Sequence, residues 1–223
     1  FVYFQKAKIQ TNGAAAMLYA PSLKNQDAIM HTALTQVDFE GSFTGLISDF
    51  VAKGDIKTNM GNVSADVHLK IPANSDITYD GTVVVDNFDL SQLLYQDFVG
   101  SVSVNAKVKG VGFDANTANI NVDGTISAAE INGYNYSNVK VNGVLAAKKF
   151  DGKLKAADPN LALDFDGTID FAGESPLFNV KAKLDYINAK ALHFTQDSIV
   201  GSALMDLNFT GSNIDNFLGA AYI

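Results

Sequence analysis

Apolar and polar residues take turns along most of this chain, and such alternation leaves few folds open. Between positions 63 and 71, Val63, Ala65, Val67, Leu69 and Ile71 alternate with Ser64, Asp66, His68 and Lys70. Successive side chains of a strand point to opposite faces, so this stretch predicts a strand with one apolar and one wet face. The period recurs at Val102/Val104/Ala106/Val108, Ala118/Ile120/Val122, Leu161/Leu163/Phe165, Phe178/Val180/Ala182/Leu184 and Ala203/Met205/Leu207/Phe209. It dominates from about Leu34 onward and predicts an all-β chain.

Ten triplets of an apolar residue, a polar residue and glycine are interleaved with these stretches, ending at Gly41, Gly45, Gly81, Gly110, Gly124, Gly133, Gly143, Gly152, Gly167 and Gly211. Glycine permits positive φ and close backbone approach, so the triplets predict turns, bulges or bends at short intervals. Short connections favour sequential antiparallel neighbours, because parallel pairing needs crossovers of a dozen or more residues. A longer repeat lays residues 86–114 on residues 185–215, bringing Gly100, Gly110 and Asp114 onto Gly201, Gly211 and Asp215. The chain therefore reads as an array of related units. Helical signals are few: 90–97 and 189–196 each have room for a turn or two, and the Ala-rich 12–35 stretch is ambiguous. Residues 1–33 are accordingly assigned to an N-terminal loop or short helix, and 34–223 to the repetitive β region.

The charge balance removes several functions. Sixteen Lys and Arg against 24 Asp and Glu give a formal charge of −8, the wrong sign for phosphate contacts, so no nucleic-acid partner is expected. The same sign argues against docking on an anionic bilayer through a polybasic patch. No cysteine is present, which excludes thiolate metal sites and leaves the redox compartment open. The chain begins with Phe1 and has no apolar run near the length of a spanning helix, so it reads as a mature piece or an excerpt.

The one catalytic motif in the chain sits in a strand pattern. LDFDGTID at 163–170 matches the DxDGT nucleophile loop of haloacid-dehalogenase phosphatases, in which Asp164 would attack phosphorus and Asp166 act as general acid beside Mg²⁺. That loop belongs after a buried parallel strand, whereas here alternation runs through the motif and no βαβ pattern surrounds it. Asp164 and Asp166 are expected on a polar strand face, with Leu163 and Phe165 opposite. His31, His68 and His193 lack metal-ligand spacing, and His68 is expected to be solvated. No enzymatic activity, cofactor or metal is expected.

The apolar face itself has two readings. Two sheets can close over it as a dry sandwich core, as in a structural or adhesive repeat protein. Alternatively, part of the face stays uncovered as a ligand groove. An outer-membrane barrel ranks last, because the 15 Phe and 8 Tyr show no paired girdle spacing. In the groove reading, Val102, Val104, Val108, Ile120, Val122, Val139, Val141, Leu161, Leu163, Phe165, Val180, Leu184, Met205, Leu207 and Phe209 face inward. A one-residue bulge would exchange the two faces beyond it until the next bulge.

The run GTVVVDNFDLSQLL, then VGSVSVNAKVKG, then the stretch from VDGTISAAEINGYNYSNVKVNG to DPNLALDFDGTIDF, resembles the Bacteroidetes-type TamB proteins of the AsmA-like superfamily. The motifs YxYxNVxxxG, FxGxL, DPNLxLxFxG and PxFxxxAxL follow one another in order at 134–143, 150–154, 158–167 and 176–184. The resemblance covers roughly 38–223. It implies an elongated antiparallel β-taco, an open groove continuing beyond the end of the chain. It further implies a periplasmic location within a longer protein anchored in the inner membrane, and phospholipid acyl chains as cargo in transport between the two membranes. A role in outer-membrane protein assembly is also implied, with an outer-membrane barrel of the BamA/TamA class as partner through another part of the full-length protein. On that basis this segment is groove wall from the middle.

Overall fold

In a computed structural model, residues 1–12, 15, 34–72, 75–91, 99–112, 116–173, 177–210 and 218–222 are described. They form one 13-stranded antiparallel sheet whose spatial order is the sequence order. The strands are β1 (Val2–Thr11), β2 (Val37–Leu46), β3 (Asp49–Thr58), β4 (Asn62–Lys70), β5 (Thr78–Asp89), β6 (Val99–Val111), β7 (Asn119–Ile131), β8 (Tyr134–Ala146), β9 (Lys149–Asp158), β10 (Leu161–Asp170), β11 (Leu177–Asn188), β12 (Val200–Thr210) and β13 (Leu218–Tyr222). β1 and β13 are the two edges, so the sheet is not closed into a barrel. No helix among the described residues is long and apolar enough to cross a membrane.

The all-β, sequential, antiparallel expectation holds, and two local expectations change. First, residues 2–11 are a strand paired with β2, not loop or helix, and the register slips between Phe4 and Ala7. That slip puts two residues three apart on one face and hides the period from the sequence. Second, all but one of the described triplet glycines lie in strands and not in turns. Gly41, Gly45, Gly81, Gly110, Gly124, Gly143, Gly152 and Gly167 all lie inside strands, and Gly133 alone of the described set sits in a hairpin turn. The 189–196 region makes about one helical turn, within the turn or two its spacing allowed, with Leu192 N–H donating to the Asn188 carbonyl. The counterpart at 90–97, and Gly211, lie largely or wholly outside the described residues.

Why glycine is needed mid-strand is a matter of close approach. The triplet spacing puts the apolar residue and the glycine on the same face. Gly143 pairs with Gly152, and Gly152 with Gly167, in one cross-strand row. A methyl added at Gly143 would stand 2.6 Å from the Asp151 carbonyl oxygen and 2.9 Å from the Phe150 ring. At Gly110 it would meet the ring of Tyr79 at 2.7 Å. Rings lying over glycines are how a strand without a side chain still buries apolar area.

Tight hairpins join several neighbours. Asn132 and Gly133, at φ 54° and 74°, link β7 to β8 as a two-residue turn with both φ values positive. Ala147 and Lys148, at 48° and 65°, do the same between β8 and β9 without the usual Asn or Gly.

Candidate functional site: the apolar face and its polar rim

Cross-strand partners in an antiparallel sheet share a face, so the register can be followed from strand to strand. One row runs Val85–Val104–Ile126–Val139–Ala156–Leu163–Leu184–Ala203. Parallel to it lie Val108, Val122, Val180 and Leu207 in the glycine row, and Val141, Phe165 and Met205 in the row between. Val102 pairs with Phe88 and Ala129, Ile120 with Gly110 and Leu145, Leu161 with Ile187, and Phe209 with Phe178. The register therefore brings all fifteen residues singled out above to one side of the sheet. Bulges do occur, but from β5 to β12 they sit toward one end of the strands, as between Val85 and Phe88 and between Leu184 and Ile187.

That side is only partly covered. Val141, Phe165 and Val180 are buried, whereas Val102, Val104, Val108, Ile120, Val122, Val139, Leu161, Leu163, Leu184, Met205 and Leu207 are half-buried. The buried cluster of Phe165, Val180 and Ala182 packs against Phe150, Leu154, Leu163, Ile169, Phe178 and Met205, all from the consecutive strands β9 to β12. A second sheet seated on this face would bring in residues from distant strands, and the cluster contains none among the described residues.

The opposite face is charged. Lys8–Glu40, Lys53–Asp66, Lys109–Asp80, Lys153–Asp166 and Lys155–Asp164 are ion pairs at 3.2, 2.9, 3.5, 3.2 and 2.7 Å, each between residues directly opposite in register. Their solvent exposure limits each to about 0–1 kcal/mol, so they mark register and wet surface more than stability. Asp164 and Asp166 of the DFDGT motif belong to this ladder in the middle of β10, with Leu163 and Phe165 on the other face. His68 lies on this wet face too, as expected, and its Nε2 is 2.5 Å from Asp49 Oδ1. This contact, followed by Lys70, outweighs desolvation and holds the Asp49 carboxyl below its ordinary range. His193 is remote from both Asp49 and His68 in sequence, and His31 lies outside the described residues. Among the described residues no three metal-ligating side chains converge.

One rim of the apolar face carries a polar cluster that alternation could not show. Asp158 is 7% exposed and accepts hydrogen bonds from Tyr134 Oη at 2.5 Å, Ser137 N at 2.9 Å, Ser137 Oγ at 2.8 Å and Asn160 N at 2.8 Å. Asn160 Nδ2 donates to Tyr134 Oη at 3.1 Å. Burial alone would raise the Asp158 carboxyl, but the donors from Tyr134, Asn160 and Ser137 together hold it below the ordinary range. Tyr136 packs edge-on against Tyr134 at 4.8 Å, and burial, with Tyr134 and Asp158 nearby, pushes its phenol up to about 12. Tyr136 pairs with Ala129, which pairs with Val102, so the cluster belongs to the apolar side. The signal for it lay in the motifs YNYSNV and DPN, whose side chains meet here.

Fold and site together define a single-sheet antiparallel β protein with one apolar face and one charged face. Compared with known proteins, the chain matches no family model, no curated protein and no solved structure.

Proposed function

We propose that this chain is a stretch of groove wall that holds lipid acyl chains along its apolar face. The observation that carries the reading is the half-burial of a continuous apolar face across the eleven consecutive strands β2 to β12. Soluble proteins rarely leave so large an apolar surface without an occupant. Strands about 4.8 Å apart make the eleven-strand face about 48 Å long, several times the width a closed pocket needs. An acyl chain of about 16 methylenes gains about 13 kcal/mol gross on leaving water at ~0.8 kcal/mol per methylene, before ordering costs, so no charged anchor is required.

The ordered motifs between 134 and 184 support placing that activity in a periplasmic protein of the TamB and AsmA-like kind, anchored elsewhere in the inner membrane. Such a protein would move phospholipid between membranes or serve outer-membrane protein assembly, with its barrel partner held by another part of the full-length chain. The taco curvature and the continuation of the groove are part of the same proposal. Native mass spectrometry of the protein purified without detergent tests it directly. Phospholipid adducts are expected; a lipid-free protein that also takes up no pyrene-labelled palmitate would overturn it in favour of a structural repeat.

A further inference from the structure

The loop at residues 189–199, between β11 and β12, is built differently from the tight hairpins elsewhere. Its ends are closed on each other by the Ala189 N–H donating to the Ile199 carbonyl at 2.9 Å, so it forms an Ω-shaped unit on a narrow stem. Within it, Phe194 N–H donates to the Ala189 carbonyl and Ala191 N–H to Asn188 Oδ1, which make the loop rigid in itself. Leu192, although outside the sheet, has 0% of its surface exposed and is the most deeply buried side chain among the described residues.

The loop does not stay over its own strands. His193, at φ 63°, places its Nδ1 3.1 Å from the Asn132 carbonyl oxygen and its ring edge-on to Tyr134 at 6.4 Å. Asn132 lies in the β7–β8 turn and Tyr134 begins β8, three strands from β11, or about 14 Å at ordinary strand spacing. Because Tyr134 stands beside Tyr136, which is on the apolar side, and lies beyond the Val139↔Ala156 end of the β8–β9 ladder, the loop reaches past the β9–β10 turn at the rim of the apolar face. The described contacts at its far end are the His193–Asn132 hydrogen bond and the His193–Tyr134 ring contact, so the segment is tied internally by several bonds and to β8 by few.

The geometry points to residues 189–199 as a lid over one rim of the acyl-chain face, with Leu192 as the plug and His193 as the latch. This rests on the lipid-groove reading. Closed, the lid shelters Leu192 from water; open, it leaves apolar surface that an incoming acyl chain covers in place of Leu192. Lipid and lid thus compete for one apolar rim, and the lid sets how fast a chain enters there.

The absence of cysteine makes a covalent test clean. In Asn132→Cys/His193→Cys, the latch is lost until a short bismaleimide bridges the two thiols. Uptake of pyrene-labelled palmitate is followed by stopped flow, with hydrogen exchange of the 189–199 amides alongside. Before bridging, uptake should be about fivefold faster than wild type, the size of one lost hydrogen bond, and the loop amides should exchange faster while β8 to β10 do not. After bridging, uptake should fall about tenfold or more, and N-ethylmaleimide, which caps both thiols without joining them, should not slow it. His193→Ala supplies the same open state should the double variant fold poorly. Equal uptake in bridged and unbridged protein, or loop exchange only with global unfolding, overturns the lid while leaving the groove standing. No uptake by wild type overturns the groove reading itself and the lid with it.

Discussion

Tyr134 donates its phenolic hydrogen to Asp158 at 2.5 Å, tying the start of β8 to the end of β9 across 24 residues of sequence. Strands β8 and β9 are paired only from Val139↔Ala156 to Ala146↔Lys149, so this contact holds them together where their ladder has stopped. Asp158 also bonds the Ser137 amide and hydroxyl, which follow directly on the paired Tyr136 and precede Asn138 at φ 52°. A carboxylate that satisfies four donors fixes this bend; an alkyl group in its place would leave them orphaned.

Asp158→Asn should therefore lower stability by about 2–3 kcal/mol, since an amide turns donors toward donors, and Tyr134→Phe by about 1–2 kcal/mol. The pH dependence has a definite sign. The folded Asp158 carboxyl stays charged to lower pH than an unfolded aspartate, so the unfolded chain binds the proton first as pH falls. Its contribution is complete well above the unfolded value of about 3.9 and drains away as pH drops below it. The difference in Tm between wild type and Asp158→Asn should be constant from neutral pH to about 5 and shrink toward pH 3. A difference that grows with acid would refute the assignment.

Alternation made the strands and their apolar side legible because a period of two survives wherever register is unbroken, as it does from Val63 through Leu69. It failed at β1, where the slip between Phe4 and Ala7 breaks the period. The Ala147–Lys148 turn carries no residue that favours positive φ, so composition could not announce it. Glycine misled for a different reason: the same residue serves turns and close packing, and only the partner strand tells which. The Asp158 cluster was out of reach because its members are polar residues 21 to 26 positions apart, joined by side chains and not by periodicity.

Two strand glycines differ in what packs against them. Gly143→Ala drives its methyl toward the Asp151 carbonyl and the Phe150 ring and should cost about 1–3 kcal/mol. At Gly201 nothing lies within 4 Å of the added methyl, so Gly201→Ala should stay within about 0.5 kcal/mol of wild type. Urea midpoints with unchanged m-values decide the matter, and equal shifts at the two sites would contradict the packing argument.

Asp164→Asn removes one partner of an exposed pair, with Lys155 at 2.7 Å. Its effect on stability should not exceed about 1 kcal/mol and should fade at high salt. Lipid content should not change. Hydrolysis of p-nitrophenyl phosphate by wild type, lost in this variant, would establish the phosphatase chemistry that the strand position of Asp164 argues against.

The decisive substitution places a charge on the apolar face. Val104 and Leu163 occupy one cross-strand row and are half-buried, with no covering strand in the cluster around Leu163. On an open face, Val104→Asp or Leu163→Asp keeps its carboxylate hydrated, so the sheet loses only part of one apolar side chain, about 1–2 kcal/mol. An acyl chain lying across the same spot must then either strip water from the charge or move away, and both weaken binding. Under a closed core, no water reaches the carboxylate, and an unpaired buried charge costs enough to abolish folding in a domain of ordinary stability. Thermal melting and bound phospholipid, measured on the same preparations, separate the cases. A Tm within several degrees of wild type together with lost lipid is expected, whereas collapse of the melting transition would mean that the face is sealed and that its half-buried side chains hold no cargo.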